Sequence, residues 1–205
     1  MGVHRRISCA ALVLCVCLAS GCSPTPSPSS GPTASGSGSE TTNPSVSTPA
    51  PSPSSTLSTN QVAAVAALNG YTRVSNEIGA DPSKFSAAEM TKTLSKYVGG
   101  DMVEASTSDF MRLKGQRYRV LGLIRLESTE VGRDHDTGDS RGIEVVVTAC
   151  QDQTEVRVVD KSGNVVEAEQ RSIPDFLLRQ YTILKPEGTT QWRIYGMETV
   201  KGACG

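Results

Sequence analysis

The chain has 205 residues, with 20 Lys and Arg against 21 Asp and Glu for a formal net charge of −1. So even a balance lacks the basic surplus that phosphate binding demands, which excludes nucleic acid as a bulk electrostatic partner. Aromatic residues make up only 4% while Gly (19) and Pro (11) are frequent, as in a folded part joined to an unfolded one.

At the start of the chain, Arg5 and Arg6 form a positive flank and Ile7–Leu18 a short, mostly apolar run. A helix needs about 20 such residues to span a bilayer. A shorter core between basic residues and a small-residue exit reads as a secretory signal over residues 1–21. Its ending, Leu18-Ala19-Ser20-Gly21-Cys22, resembles a bacterial lipobox, with Ala19 where that motif usually has leucine. The resemblance implies cleavage before Cys22, lipid on its thiol, and a protein anchored on the extracytoplasmic face of the cell membrane. The alternative is an ordinary secretory signal cut after Ala19 or Gly21, which would leave a free secreted protein.

Residues 22–60 read as a linker after that cysteine. Between residues 23 and 60 there are 13 Ser, 7 Thr, 8 Pro and 3 Gly, with Glu40 the only charge. Such a stretch buries too little apolar surface to offset its chain entropy and is expected to be disordered. As a coil it spans about 35 Å, enough to hold a domain away from lipid. Residues 61–205 carry all the remaining charged residues and are long enough to bury a core.

Of the six cysteines, Cys9, Cys15 and Cys17 leave with the signal and Cys22 is the lipidation candidate. Cys150 and Cys204 remain, and oxidising conditions outside the cell favour a disulfide between them. A pair of reactive or metal-binding thiols is the rival reading, but no CxxC spacing supports it.

The domain opens with helical spacing. Val65, Leu68, Thr72, Ser75 and Ile78 predict one helix, with Asn60 as N-cap and Gly79 and Asp81-Pro82 as its stop. Phe85, Ala88, Leu94 and Val98 predict a second, ended by Gly99-Gly100. Asp101 with Glu104 starts a third with Val103, Ser106, Phe110 and Leu113 inward, closed by Gly115. From Gln116 the period becomes two, predicting a strand through Leu126, then strands over Ile143–Cys150 and Thr154–Asp160. A turn at Asp160-Lys161-Ser162-Gly163 follows, then strands over Pro174–Leu184 and Gln191–Met197. Helices followed by antiparallel strands specify an α+β domain, with the helices packed on one face of a curved sheet.

The stretches Val145-Val146-Val147-Thr148-Ala149-Cys150-Gln151-Asp152, Val158-Val159-Asp160-Lys161-Ser162-Gly163, Tyr181-Thr182-Ile183 and Gln191-Trp192-Arg193-Ile194, with the terminal Cys204, give the domain a familiar look. Together they resemble exported actinobacterial lipoproteins with the nuclear transport factor 2-like fold, a cone of N-terminal helices on a strongly curved antiparallel sheet. The resemblance implies a surface-exposed domain with a pocket between helices and sheet. It implies no particular reaction, because that fold hosts isomerases, dehydratases, transport factors and assembly modules.

Enzymes of the fold place an acid/base pair in the pocket. The candidates here are Asp152 with Tyr118 or Tyr181, although Asp152 reads more simply as a turn cap beside the disulfide. His135 is the one histidine beyond the signal, in a polar connection with Asp134, Asp136 and Asp139. Those four could gather a cation, but their spacing matches no calcium loop and a solvated hairpin explains them better. Arg117, Arg119 and Arg125 read as one solvent-facing stripe of a single strand, balanced across strands by Glu127, Glu144 or Glu155. The expectation is therefore a lipid-anchored, non-enzymatic binding module without a cofactor, holding a small apolar ligand or a protein partner. A structural subunit of an envelope secretion or conjugation assembly and a small-pocket isomerase-like enzyme are the alternatives.

Overall fold

The computed structural model describes residues 56–204. The expected signal, the lipidation candidate Cys22 and the expected linker as far as residue 55 lie outside the described residues. Helix α1 (Thr59–Ala80) begins after Ser58, whose Oγ accepts from the Gln61 backbone N–H at 3.2 Å while the Ser58 N–H donates to Gln61 Oε1 at 2.7 Å. This reciprocal pair is a capping box. Asn60, expected as the cap, has Ala63 three residues on and no such partner; it lies in the first turn and donates from Nδ2 to Asp134 Oδ2 at 2.8 Å. Thr59 and Asn60 thus belong to the helix and not to the linker.

Ala64, Ala67, Leu68, Val74 and Ile78 form the buried stripe of α1. A single 3-10 turn (Pro82–Lys84) leads to α2 (Ala87–Leu94), capped by Ser86 and Glu89 in a second capping box. Helix α2 ends four residues earlier than the spacing suggests. The Ile194 N–H donates to the Tyr97 carbonyl at 2.8 Å and the Gly99 N–H to the Ile194 carbonyl at 2.9 Å, so Val98 bridges to the last strand instead of continuing the helix. Helix α3 (Asp101–Gln116) runs through Gly115 and stops at Arg117, which takes the left-handed conformation at φ 58°.

The strand expected over 116–126 is two strands in different sheets. β1 (Arg119–Leu121) pairs with β5 (Arg157–Val159), whereas β2 (Arg125–Val131) pairs with β4 (Ile143–Asp152). Gly122 makes the break: its φ of 79° suits glycine, and a Cβ there would overlap the Glu155 carbonyl. Arg117, Arg119 and Arg125 consequently share no strand face. Arg125 is balanced as foreseen, its Nη2 lying 2.7 Å from Glu155 Oε2.

The main sheet is antiparallel with order β2-β4-β6-β7, where β6 is Phe176–Lys185 and β7 is Arg193–Thr199; β3 (His135–Asp136) also pairs with β4. Short helix α4 (Glu167–Gln170), not anticipated, covers β5. Gln170 accepts from the Val158 N–H at 3.1 Å and donates to the Val156 carbonyl at 3.0 Å, as a neighbouring strand would. Register shifts between Leu126 and Ser128 and between Thr182 and Ile183 bend the strands locally, but the strong curl expected of the sheet is not seen.

Every second residue along the central ladder faces the helices. Val145, Val147 and Ala149 from β4, Tyr181 and Ile183 from β6, and Ile194 from β7 are fully buried against Ala64, Leu68, Ile78, Met90 and Leu94. Each large apolar side chain buried this way contributes about 1.5–3 kcal/mol. The domain is α+β, with its helices on one face of an antiparallel sheet.

Cys150 and Cys204 form a disulfide with Cα atoms 5.5 Å apart, as the sequence suggested. Cys150 follows Ala149 on β4 and points to the opposite face of the sheet. It is nonetheless only 2% exposed, because the C-terminal segment folds back over it. The Val200 N–H donates to the Leu178 carbonyl at 3.1 Å, and Gly202 lies against the Leu178 side chain.

Candidate functional site

One inward position at the end of β4, the next in phase just past it and one on β6 carry polar residues where the apolar pattern would continue. After Val145, Val147 and Ala149 the same phase brings Gln151 and then Gln153; on β6, Arg179 precedes Tyr181 and Ile183. With Tyr71 and Ser75 of α1, Ser106, Asp109 and Phe110 of α3, and Ile124 from the β1–β2 connection, they line a cavity of about 160 Å³.

Gln151, 6% exposed, donates from Nε2 to the Tyr181 hydroxyl at 2.7 Å. Burial pushes that hydroxyl up to about 12, against a smaller opposing effect of the nearby Arg179 charge, so Tyr181 stays protonated at neutral pH. The Arg179 guanidinium donates from Nη1 to Met197 Sδ at 2.9 Å, a weak acceptor. Three other polar atoms of the lining are sealed from solvent with no hydrogen-bond partner among the described residues: Ser75 Oγ, Gln153 Nε2 and Arg179 Nε. A buried polar atom left unpaired costs about 1–3 kcal/mol, so their clustering around one cavity requires a reason.

The residues singled out from sequence are distributed differently. Tyr181 is not itself in the cavity lining; its hydroxyl accepts from Gln151, which is. Asp152, next to Gln151 on the strand, points to the other face. Its Oδ1 accepts from the Thr154 N–H at 2.9 Å and from Thr154 Oγ1 at 2.7 Å. Those bonds, and the Arg125 charge to a lesser degree, hold its carboxyl below the usual aspartate range, suited to a turn cap and not to a base at neutral pH. Tyr118 follows the left-handed end of α3, its N–H bonded to the Leu113 carbonyl at 2.9 Å, and does not line the cavity. The three candidates are therefore not brought together.

Asp136 and Asp139 line a larger, open groove of about 450 Å³ beside Lys185 and Glu187. Three of their four oxygens are already engaged. Asp136 Oδ1 accepts from the Gly138 N–H at 3.0 Å, and Asp139 accepts from the Arg141 N–H at 2.9 Å, Thr137 Oγ1 at 2.9 Å and Arg141 Nε at 3.0 Å. These donors, the Arg141 N–H foremost, hold the Asp139 carboxyl low; the Asn60 amide does the same for Asp134. His135 is exposed on β3 opposite Glu144. Among the described residues no three side chains of metal-binding type gather at one point.

No family model and no curated protein matches the chain. Among solved structures, the intermembrane space region of the chloroplast protein ARC6 is similar over 69% of this chain and 97% of that one, at 10% identity and a TM-score of 0.48. A de novo designed β-sheet protein is similar over 69% and 92%, at 15% identity and a TM-score of 0.27. Both likenesses are too distant to assign a family.

Proposed function

We propose that the chain is a lipid-anchored, extracytoplasmic, non-enzymatic binding module that takes a small polar molecule into the cavity between α1, α3 and the inner face of the sheet. The observation that carries this reading is one cavity whose lining residues include Ser75, Gln153 and Arg179, each with a buried polar atom that has no partner among the described residues. A ligand site of this kind is a concave space with a few convergent polar groups. Gln151, Gln153 and Arg179 add polar groups to a lining that also presents Tyr71, Phe110 and Ile124, so the ligand proposed here carries a polar group beside an apolar body.

A nuclear transport factor 2-like fold is the finer structural reading. Its support is the order of elements, three helices and then an antiparallel sheet, with the cavity where that fold keeps its pocket. Anchoring rests on the lipobox-like Leu18–Cys22, and no helix among the described residues is long and apolar enough to cross a membrane. The disulfide suits an oxidising compartment outside the cytoplasm. Against an enzyme stands the lining itself. Its one carboxylate, Asp109, sits at an exposed position of α3, and Tyr181 is held protonated.

Two measurements test the reading. Mass spectrometry of the membrane fraction should find a diacylglyceryl-modified Cys22 at the N-terminus, and Cys22→Ala should release the protein; an unacylated mature terminus refutes anchoring. Soaking crystals with a mixture of small polar solutes should bring ordered density to Gln153 and Arg179. A cavity that admits none of them refutes the binding role.

A further inference from the structure

The geometry points to a small organic monocarboxylate as the ligand of this cavity, its carboxylate held by Arg179 and Gln153 and its apolar body against Tyr71 and Phe110. This inference rests on the binding-module reading and narrows it to one chemical class.

Charge decides first. No ion pair among the described residues includes Arg179. Asp109 lines the same cavity but does not come within ion-pair distance of it. Arg179 is partly buried with its Nε closed off from water, and an entering anion supplies the counter-charge it lacks within ion-pair distance. Donors decide next. Arg179 Nε and Gln153 Nε2 can only donate, so the complementary ligand group is an acceptor. A guanidinium presents its N–H groups as a planar fork matched to the two oxygens of a carboxylate.

The rest of the cavity limits the choice. The Asp109 carboxylate disfavours a dianion such as inorganic phosphate, because only one fixed positive charge opposes it in the lining. A volume of about 160 Å³ equals that of roughly five liquid waters, which suits a body the size of one aromatic ring. Phe110 and Tyr71, both packed against the main core, supply apolar surface for such a body.

The test is calorimetric titration of the full chain with benzoate and with its neutral counterpart benzamide, alongside amide NMR of the Gln151 and Gln153 side chains. Benzoate should bind at least tenfold more tightly than benzamide and should shift both glutamine side-chain signals. Arg179→Met should abolish that preference, and Arg179→Lys, which keeps the charge without the fork, should retain part of it. Should Arg179→Met fail to fold, Gln153→Leu provides the second variant, with benzoate affinity expected to fall about tenfold and benzamide affinity less. Equal binding of acid and amide, or benzoate binding unchanged in Arg179→Met, overturns the carboxylate assignment while leaving a polar-ligand cavity. If neither compound moves the glutamine signals at millimolar concentration, the cavity reading falls with it.

Discussion

Breaking the Cys150–Cys204 bond provides the most quantitative test of the architecture. The two cysteines are 54 residues apart in sequence, and closing a loop of that size removes unfolded-chain entropy worth about 4 kcal/mol at 25 °C. Native packing adds to this, since the bond fastens the tail over Leu178 and Cys150 on the outer face of the sheet. Cys204→Ala leaves the Cys150 sulfur in place and should lose nearly all of the entropic part. The double variant Cys150→Ala, Cys204→Ala should lose only about 1 kcal/mol more, for the trimmed side chain. For a domain of this size a loss of 4 kcal/mol lowers the melting temperature by about 8–16 °C. With a urea dependence of about 2 kcal/mol per molar, the midpoint should fall by about 2 M. Reducing the parent protein should reproduce the Cys204→Ala curve. A Cys204→Ala protein within about 1 kcal/mol of the parent, or a reduced parent that unfolds like the oxidised one, would show that the bond neither restrains the unfolded chain nor holds the tail.

Other consequences are equally direct. Because the Tyr181 hydroxyl is pushed up from 10.0 to about 12, its contribution is fully present below pH 10 and is lost as pH rises through 12. Two units correspond to about 3 kcal/mol, so urea midpoints should fall steeply over that window in the parent and less steeply in Tyr181→Phe. Gly122→Ala forces a left-handed alanine into the Glu155 carbonyl and should cost at least about 2 kcal/mol by thermal denaturation, mainly by disturbing the β1–β5 ribbon. Ser58→Ala removes the acceptor of the capping box and should cost about 1 kcal/mol, with hydrogen exchange accelerated only in the first turn of α1.

Much of this was readable from the chain, and the exceptions have physical causes. The disulfide followed from counting the cysteines outside the signal. Strand β4 followed from its β-branched run, and the Asp160–Gly163 turn from its glycine, which has φ 87°. The early end of α2 was hidden because Ala88 and Val98 fit a helical stripe locally, whereas Val98 is drawn away by a bridge to Ile194 nearly a hundred residues later. The break at Gly122 was masked by alternation that continues on both sides of it. The polar residues that line the cavity were missed for a different reason. Attention to Asp, His and Tyr as acid/base types passed over Gln151 and Arg179, which stand in the inward phase of a strand, and Gln153, which continues the phase of β4 just past its end. A polar residue at a core-phased position is the signal that would have found them.

The same ladder joins the two features that matter most. Cys150 pairs in register with Leu178 on the outer face, and the residues one step along, Gln151 on β4 and Arg179 on β6, face the cavity. Alternation along a strand means that whatever fixes the outer side chain also fixes the backbone presenting the inner one. The tail, held at its end by Cys204 and at Val200 by the Leu178 carbonyl, therefore restrains the stretch of β4 and β6 from which the cavity's donors project. On the proposed binding role, donors held in place before a ligand arrives would lose less entropy on binding it, which favours affinity from a small contact area. An oxidised clamp on one face and a polar cavity on the other are in this sense one construction, built from adjacent residues of two strands.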